Sequence, residues 1–219
     1  MFSLVMKDIL VQKKQMVFSF AYILFVIIAF QAMGPVMFPV GIVAFTYMLI
    51  LTSCAYEDKN NSYVMLASLP IKRSRIVLSK YISALVFLIM GVVAYAIMTQ
   101  VIIILKIPLK TYPITVESLL GAIVAFSLLN AVYFPIFFKV GYTKSRIVNF
   151  ILFFAFFFGI NLFVSFIYQS KDKVWFIEIQ KIFSNQPDGI IGLSFLGVAA
   201  LLLIISYMIS VKIFKNREF

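Results

Sequence analysis

Histidine is absent from the 219-residue chain, and Cys54 is its one cysteine. Without histidine, the protein cannot build a His-ligated haem, a His-based zinc centre or a Ser-His-Asp catalytic triad. A single thiol excludes an internal disulfide and a Cys-x-x-Cys redox site. The sequence also contains neither the GxxxxGK[ST] phosphate loop nor a GxGxxG motif. We therefore expect no enzymatic activity, no metal and no cofactor in this chain.

Charged residues are also scarce. They make up 12% of the sequence, and apolar residues make up 63%, whereas soluble domains average about 25% and about 45–50%. A soluble globule cannot bury that much apolar surface. The composition therefore predicts an integral membrane protein.

Uncharged stretches divide the chain into lengths that suit a bilayer, which a helix of roughly 20 residues can cross. No charged residue occurs between Gln15 and Tyr56, and Gly34-Pro35 splits that run in two. The runs are continuously apolar rather than alternating, which favours helices over a β-barrel. We predict an all-α membrane protein with six transmembrane helices. Their approximate bounds are Val17–Met33, Val36–Cys54, Ile82–Leu105, Leu119–Phe138, Ile147–Tyr168 and Ile190–Val211.

The basic residues are distributed unevenly between the two sides of these spans. Six spans place both termini on one side, which carries fourteen Lys and Arg residues against five on the other. The positive-inside rule then predicts cytoplasmic N- and C-termini. The net charge of +11 is accordingly an orientation signal, with some attraction to anionic lipid. We expect no nucleic-acid partner.

Four segments lie outside the predicted spans. Residues 1–16 are predicted to form an amphipathic helix on the membrane surface, the alternative being a frayed terminus. A cytoplasmic loop covers 56–80, an external loop covers 169–189, and 212–219 form a basic cytoplasmic tail. Membrane lipid is thus an expected partner. The residues predicted to anchor the protein at the surface are Lys7, Lys13, Lys14, Arg73 and Arg75.

The loop 56–80 reads YEDKNNSYVMLASLPIKRSRIVLSK and is much longer than most helix–helix connections. Negative charges at a helix C-terminus are mildly unfavourable. We therefore expect Glu57 and Asp58 to begin a new short helix rather than to end the second span. Such an amphipathic element could transmit movement between a partner protein and the spans. The alternative is a solvated connector.

Three motifs connect the chain to a known family. They are the run Lys7-Asp8-Ile9-Leu10-Val11-Gln12-Lys13-Lys14, the acidic turn Glu57-Asp58-Lys59-Asn60-Asn61, and the run Ser68-Leu69-Pro70-Ile71-Lys72-Arg73. With these motifs and its span layout, the chain resembles the type-2 ABC transporter permeases, in the subfamily of short six-span subunits without a fused ATPase. It is further similar to permeases that expel phenol-soluble modulins, which are amphipathic cytolytic peptides, or peptide antibiotics.

This resemblance implies an ATP-driven exporter in a bacterial cytoplasmic membrane. Two membrane subunits, this chain with a second copy or a paralogue, would assemble with two ABC ATPase subunits that carry ATP and Mg. Residues 1–16 would be the connecting helix, and 57–69 would be the coupling helix that docks on the ATPase. The exported substrate would be an amphipathic peptide. The implied coupling residues are Glu57, Asp58, Lys59, Asn60, Asn61, Ser62, Tyr63, Met65, Leu66 and Leu69.

Polar side chains inside the predicted spans are candidates for the translocation path. They are Gln100, Ser127, Asn130, Tyr133, Asn161 and Ser165. The alternative is that they form interhelical hydrogen bonds, which contribute on average less than about 1 kcal/mol each in membranes. No charged residue lies near the middle of a predicted span, which argues against an ion-coupled transporter. The alternative functions are an ATPase-independent transporter or channel, and a membrane immunity or assembly factor.

Overall fold

The structure is a computed structural model that describes residues 2–60, 71–170 and 187–216. Within these ranges it contains helices and no β-strand, which confirms the all-α prediction. Residues 61–70 of the cytoplasmic loop 56–80 and 171–186 of the external loop 169–189 lie outside the described residues. The helices are α1 (Phe2–Val11), α2 (Lys13–Ala29), a 3-10 helix (Gln31–Val36), α3 (Met37–Lys59), α4 (Arg73–Ile104), α5 (Val116–Ser170) and α6 (Asp188–Lys215).

Several of these helices have the length and composition of membrane-spanning segments. Among the described residues, four stretches are long and apolar enough to cross a bilayer: Gly34–Lys59, Arg73–Ile104, Val116–Phe156 and Gly189–Lys215. In α2, Phe20–Ala29 is a shorter apolar stretch. The protein is therefore a multi-pass membrane protein, as its composition predicted. The number of six crossings stays a prediction.

A glycine turn joins α2 to α3. Gly34 has a φ of 63° and a ψ of −140°, outside the helical region, and glycine adopts a positive φ without steric cost. Past this turn, the Tyr22 and Phe45 rings approach to 5.7 Å. The two helices therefore run antiparallel as a tight hairpin.

A second glycine folds α5 back on itself. Gly141 has a φ of 79° and a ψ of 174°. The ring of Tyr47 on α3 lies 5.6 Å from that of Tyr133 and 6.1 Å from that of Phe153, on either side of Gly141. A straight helix would separate positions 133 and 153 by roughly 30 Å. The helix therefore consists of two antiparallel arms, a first arm of 116–140 and a second arm of 142–170.

The buried core lies where α3, α4 and the first arm of α5 meet. Aromatic rings continue it toward the end of α6, with Tyr81, Phe134, Phe138 and Phe214 in successive contact at centroid distances of 4.5, 6.4 and 5.2 Å. The outer face of α6 is apolar and exposed, as at Leu193 and Met208. Such a surface suits contact with lipid or with another membrane subunit.

Candidate functional site

One end of the bundle contains α1, the end of α3, the start of α4, the turn at Gly141 and the end of α6. Lys7 of α1 pairs with Glu57 at the end of α3, and Asp58 accepts a hydrogen bond from Thr143 just after Gly141. Arg73 at the start of α4 donates to the carbonyl of Lys215 at the end of α6, at 2.7 Å. These are the segments that the charge distribution assigned to the cytoplasm. Which side of the membrane they occupy stays a prediction.

The two acids after the second predicted span belong to α3, which continues through Lys59. The expectation that Glu57 and Asp58 begin a new helix is therefore wrong. The helix dipole disfavours an acid at this end by only a few tenths of a kcal/mol. Glu57 overcomes that small effect because two cations, Lys7 and Lys80, lie against its carboxylate.

Lys80 is the centre of this arrangement, with a side chain only 5% exposed. Its Nζ lies 2.9 Å from Asp8 Oδ1 and 2.9 Å from Glu57 Oε2, and it donates to Ser53 Oγ at 3.1 Å. The contact with Glu57 is an ion pair, whereas Asp8 and Ser53 also accept hydrogen bonds from the ammonium. On the other side of the cluster, Ser83 Oγ donates to Asp8 Oδ2 at 2.8 Å. We call Lys7, Asp8, Ser53, Glu57, Lys80 and Ser83 the Lys80 cluster.

The Lys80 cluster joins three helices with balanced charge. Asp8 and Lys7 come from α1, Glu57 from α3 and Lys80 from α4, giving two cations and two carboxylates. As a helix of 32 residues, α4 would be about 48 Å long, against a hydrocarbon core of about 30 Å. Lys80 is in the second turn of this helix, so a membrane-spanning α4 can keep the cluster near the membrane surface.

Asp58 makes a separate link to the turn at Gly141. Its Oδ2 accepts the backbone N–H of Thr143 at 3.1 Å and also the Thr143 hydroxyl. The second arm of α5 begins here, and the first N–H groups of a helix have no partner within the helix. Asp58 therefore caps this arm from another helix, as an N-cap side chain usually does from its own.

A groove of about 860 Å³ opens at the opposite end of the bundle, between the first arm of α5 and the start of α6. Its volume is within the range of small-molecule sites, about 300–1,000 Å³. Among the described residues that line it, Glu117 provides the charge. The lining comprises Val116, Glu117, Leu120, Gly121, Val124, Ala125, Leu128, Phe156, Gly189, Ile191, Gly192, Leu193, Phe195 and Leu196.

A family model described as ABC-2 family transporter protein matches residues 3–215, nearly the whole chain. The chain belongs to the ABC-2 transporter family. It is thus a permease subunit of an ABC transporter, a kind of subunit that is normally non-catalytic and works with ABC ATPase subunits. No curated protein and no solved structure matches the chain.

The five predicted surface anchors of this permease differ in their contacts and exposure. Lys7 reaches Glu57, and Arg73 donates to the carbonyls of Phe214 and Lys215, which are among the last C=O groups of α6. Lys13 and Arg75 are exposed, and the side chain of Lys14 lies outside the described part. Anchoring at the membrane surface stays a prediction for all five.

The structure separates the candidate path residues of the ABC-2 permease into two groups. Ser127, Asn130 and Tyr133 are buried together on the first arm of α5. Ser127 and Asn130 donate to carbonyls of their own helix, at 2.7 and 2.8 Å, rather than to another helix. Gln100 and Ser165 are exposed, and the side chain of Asn161 is not among those described. Their role in a path stays a prediction.

Sequence reasoning missed Lys80 as the buried centre of a charged cluster in the permease. The positive-inside argument counted it only as a loop charge, although the structure buries it inside α4. Its position beside the first apolar residues of a span was a usable signal, since a buried lysine requires an acidic partner. The partners, Asp8 and Glu57, are 72 and 23 positions away and could not be paired with it from the pattern alone.

Proposed function

We propose that this permease forms the translocation path of an ATP-driven exporter and couples to a separate ATPase through the segment 57–69. The observation that carries the proposal is the attachment of Glu57 and Asp58, which directly precede the outermost part of that segment. Glu57 is tied to α1 and α4, and Asp58 is tied to the second arm of α5. A force applied to the segment would therefore reach three other helices.

In this proposal the segment has two parts with different roles. Glu57 and Asp58 are engaged within the chain and anchor the segment, whereas Lys59 and Asn60 are exposed. The ATPase would be contacted by Lys59 and Asn60 together with Asn61, Ser62, Tyr63, Met65, Leu66 and Leu69. ATP and Mg would be bound by the ATPase, on the cytoplasmic side with both termini of the permease.

The proposed substrate is an amphipathic peptide, and the proposed assembly contains a second permease copy or a paralogue. The groove beside Glu117 supports this substrate class because its lining is apolar apart from one carboxylate. The exposed apolar face of α6 supports the presence of another membrane subunit. The path would form between the two permeases.

Co-purification from the native membrane tests this function. A tagged permease, extracted in mild detergent, should retain an ABC ATPase in stoichiometric amount. The double variant Met65→Asp with Leu66→Asp should lose the ATPase, because charges would replace two apolar side chains that the proposal assigns to the ATPase contact. The matched control is Ile107→Asp, which also puts a charge on an apolar residue but at the opposite end of the bundle, where Ile107 is exposed.

The three outcomes of this experiment are distinct. Loss of the ATPase from the double variant, with full retention by the control, would support the coupling segment. Equal recovery of the ATPase with both variants would indicate that the segment 57–69 is only a connector between helices. Recovery of the permease without any ATPase would favour an ATPase-independent transporter or an immunity factor.

A further inference from the structure

Helix α1 docks on the bundle through both charged and apolar residues. Its apolar residues Phe2 and Leu10 face outward, with 78% and 61% of their surface exposed. The residues it buries are Val5 and the charged Asp8. Asp8 is 2% exposed and is bound by Lys80 and Ser83. The docking of α1 therefore combines a buried carboxylate with the apolar packing of Val5 and of the half-buried Leu4 and Ile9.

Stability alone is a poor explanation for such a cluster. The free energy lost when charges are removed from water is often as large as the free energy gained from their attraction. Apolar residues of similar size would therefore hold α1 equally well. A buried ion pair does, however, accept few alternative arrangements, because each charge needs its own partner at hydrogen-bond distance. The cluster thus specifies one position of α1 relative to its neighbours.

Lys80 supplies the charged link from α4 to α1, beside the hydrogen bond that Ser83 donates to Asp8. It is the member of the cluster that contacts both carboxylates from a third helix, with Asp8 on α1 and Glu57 on α3 each at 2.9 Å. Lys7 lies on α1 itself and is partly exposed, so it cannot link α1 to α4. Without Lys80, two carboxylates would share the buried site with only one partly exposed cation.

We propose that Lys80 is a positioning residue that latches α1 to the ends of α3 and α4, so that these three helix ends move as one body. The latch itself is a property of the permease alone. Its use in transport rests on the proposed function, because only a force delivered through the segment after α3 would need to be passed to α1.

Thiol accessibility tests the latch in the full chain. Replacing the single cysteine, Cys54→Ala, removes the background, and Val5→Cys then reports the docking of α1 because Val5 is only 8% exposed. Phe2→Cys is the exposed control on the same helix. Ala122→Cys, which is buried in the first arm of α5, reports the folding of the rest of the bundle. The probe is a water-soluble maleimide.

Three substitutions are compared in these backgrounds. Lys80→Met removes the charge at similar side-chain length, and Lys80→Arg retains it. Tyr81→Phe is the matched control, since Tyr81 is the next residue of α4 and its hydroxyl bonds to Ser206 and Ser210 of α6 rather than to α1.

Lys80→Met should raise the labelling rate of Val5→Cys by roughly tenfold or more, because removing one partner of a buried ion pair is strongly destabilising. Lys80→Arg and Tyr81→Phe should leave that rate within about twofold, because neither removes the charge that holds Asp8. Ala122→Cys should stay protected throughout. The latch would be overturned if Lys80→Met left the labelling rate of Val5→Cys unchanged. It would also be overturned if Tyr81→Phe raised that rate as much as Lys80→Met does.

A general loss of fold is handled by a milder variant. If Lys80→Met also makes the cysteine of Ala122→Cys accessible, the variant Asp8→Asn is used instead. It removes only the charge of Asp8 and leaves Lys80 paired with Glu57. Increased labelling of Val5→Cys with protected Ala122→Cys would then support the latch. Protection of both cysteines from the maleimide would overturn the latch.

Movement as one body is measured in the complex with the ATPase. Spin labels at Leu10→Cys on α1 and Leu85→Cys on α4, both exposed, should give one narrow distance that a non-hydrolysable ATP analogue does not change. In Lys80→Met the distribution should broaden while the ATPase still co-purifies. A distance that shifts with nucleotide in the parent would overturn the joint movement. Absence of the ATPase would instead refute the proposed function and leave the accessibility result standing.

Discussion

The two ends of the helix bundle both contain aromatic packing, as between Phe138 and Phe214 at the first end, but they differ in the charged contacts that join the helices. At one end, the Lys80 cluster, the Asp58–Thr143 contact and Arg73 join helices through charged hydrogen bonds. At the other end, the contacts are aromatic: Phe38 meets Tyr95 edge to face at 4.9 Å, and the Tyr95 hydroxyl donates to the Tyr112 carbonyl at 3.4 Å. A groove of about 860 Å³ opens beside that second end.

This difference has a mechanical consequence. Charged hydrogen bonds are directional and each group needs a specific partner, so the first end resists a change of helix position. Apolar contacts are not directional, so helices can shift at the second end while remaining in contact. In the proposed exporter, the rigid first end would receive the movement from the ATPase, and the adaptable second end would open for the substrate.

The largest expected effect comes from inverting a charge inside the rigid end. Glu57→Lys would leave Asp8 as the sole carboxylate among three cations, and breaking a buried pair costs about 3–5 kcal/mol. We expect a large loss of folded protein, measured as the monodisperse fraction in detergent and as its melting temperature. Lys59→Glu is the control, because Lys59 is two positions away and exposed. A normal melting temperature for Glu57→Lys would contradict the buried cluster.

The next effect concerns the reversal in α5. Gly141→Ala should destabilise the protein by about 1–3 kcal/mol, because its backbone angles belong to a region that is essentially restricted to glycine. Gly121→Ala on the same helix is the control. A Cβ at Gly121 meets nothing within 4 Å, and alanine is favoured in a helix by up to about 1 kcal/mol. Melting temperatures that shift in opposite directions would support the turn, and equal shifts would contradict it.

A smaller effect is expected at the cap of the second arm. Asp58→Ala removes the acceptor for the Thr143 N–H and hydroxyl, and the loss of an N-cap costs about 0.5–2 kcal/mol. Thr143→Val removes only the hydroxyl bond and should cost less. Thermal unfolding of both single variants and of the double variant checks this. Strictly additive costs would show that the two side chains do not interact.

The smallest effect is expected at the adaptable end. Tyr95→Phe retains the ring contact with Phe38 and loses only the bond to the Tyr112 carbonyl, so it should cost less than about 1 kcal/mol. Thermal unfolding measures this cost beside that of Asp58→Ala. A larger loss of stability for Tyr95→Phe than for Asp58→Ala would contradict the distinction between the two ends.

Much of the fold could be predicted because the membrane itself imposes it. A lipid environment selects long apolar helices whatever their neighbours, so the apolar runs indicated where α3, α4 and α6 would form. The split at Gly34-Pro35 was also readable, since glycine and proline interrupt helices locally. The first end of the bundle was partly predictable, because the excess of basic residues grouped the segments that contact each other there.

The interpretation of Glu57 and Asp58 failed for a physical reason. A local argument from the helix dipole involves a few tenths of a kcal/mol, whereas a buried charge responds to partners brought by other helices. Lys80, Lys7 and Thr143 supply those partners. Local rules cannot anticipate a contact that depends on how four helices pack.

The sequence by itself thus determined the class of protein and the positions of its long apolar helices, because these depend on composition and on the solvent around each segment. Only the tertiary structure decided that Asp8, Glu57 and Lys80 form one buried cluster, that Asp58 caps another helix, and that α5 folds back at Gly141. Each of these depends on groups distant in sequence meeting at a few ångströms, where electrostatic and steric energies change steeply with distance.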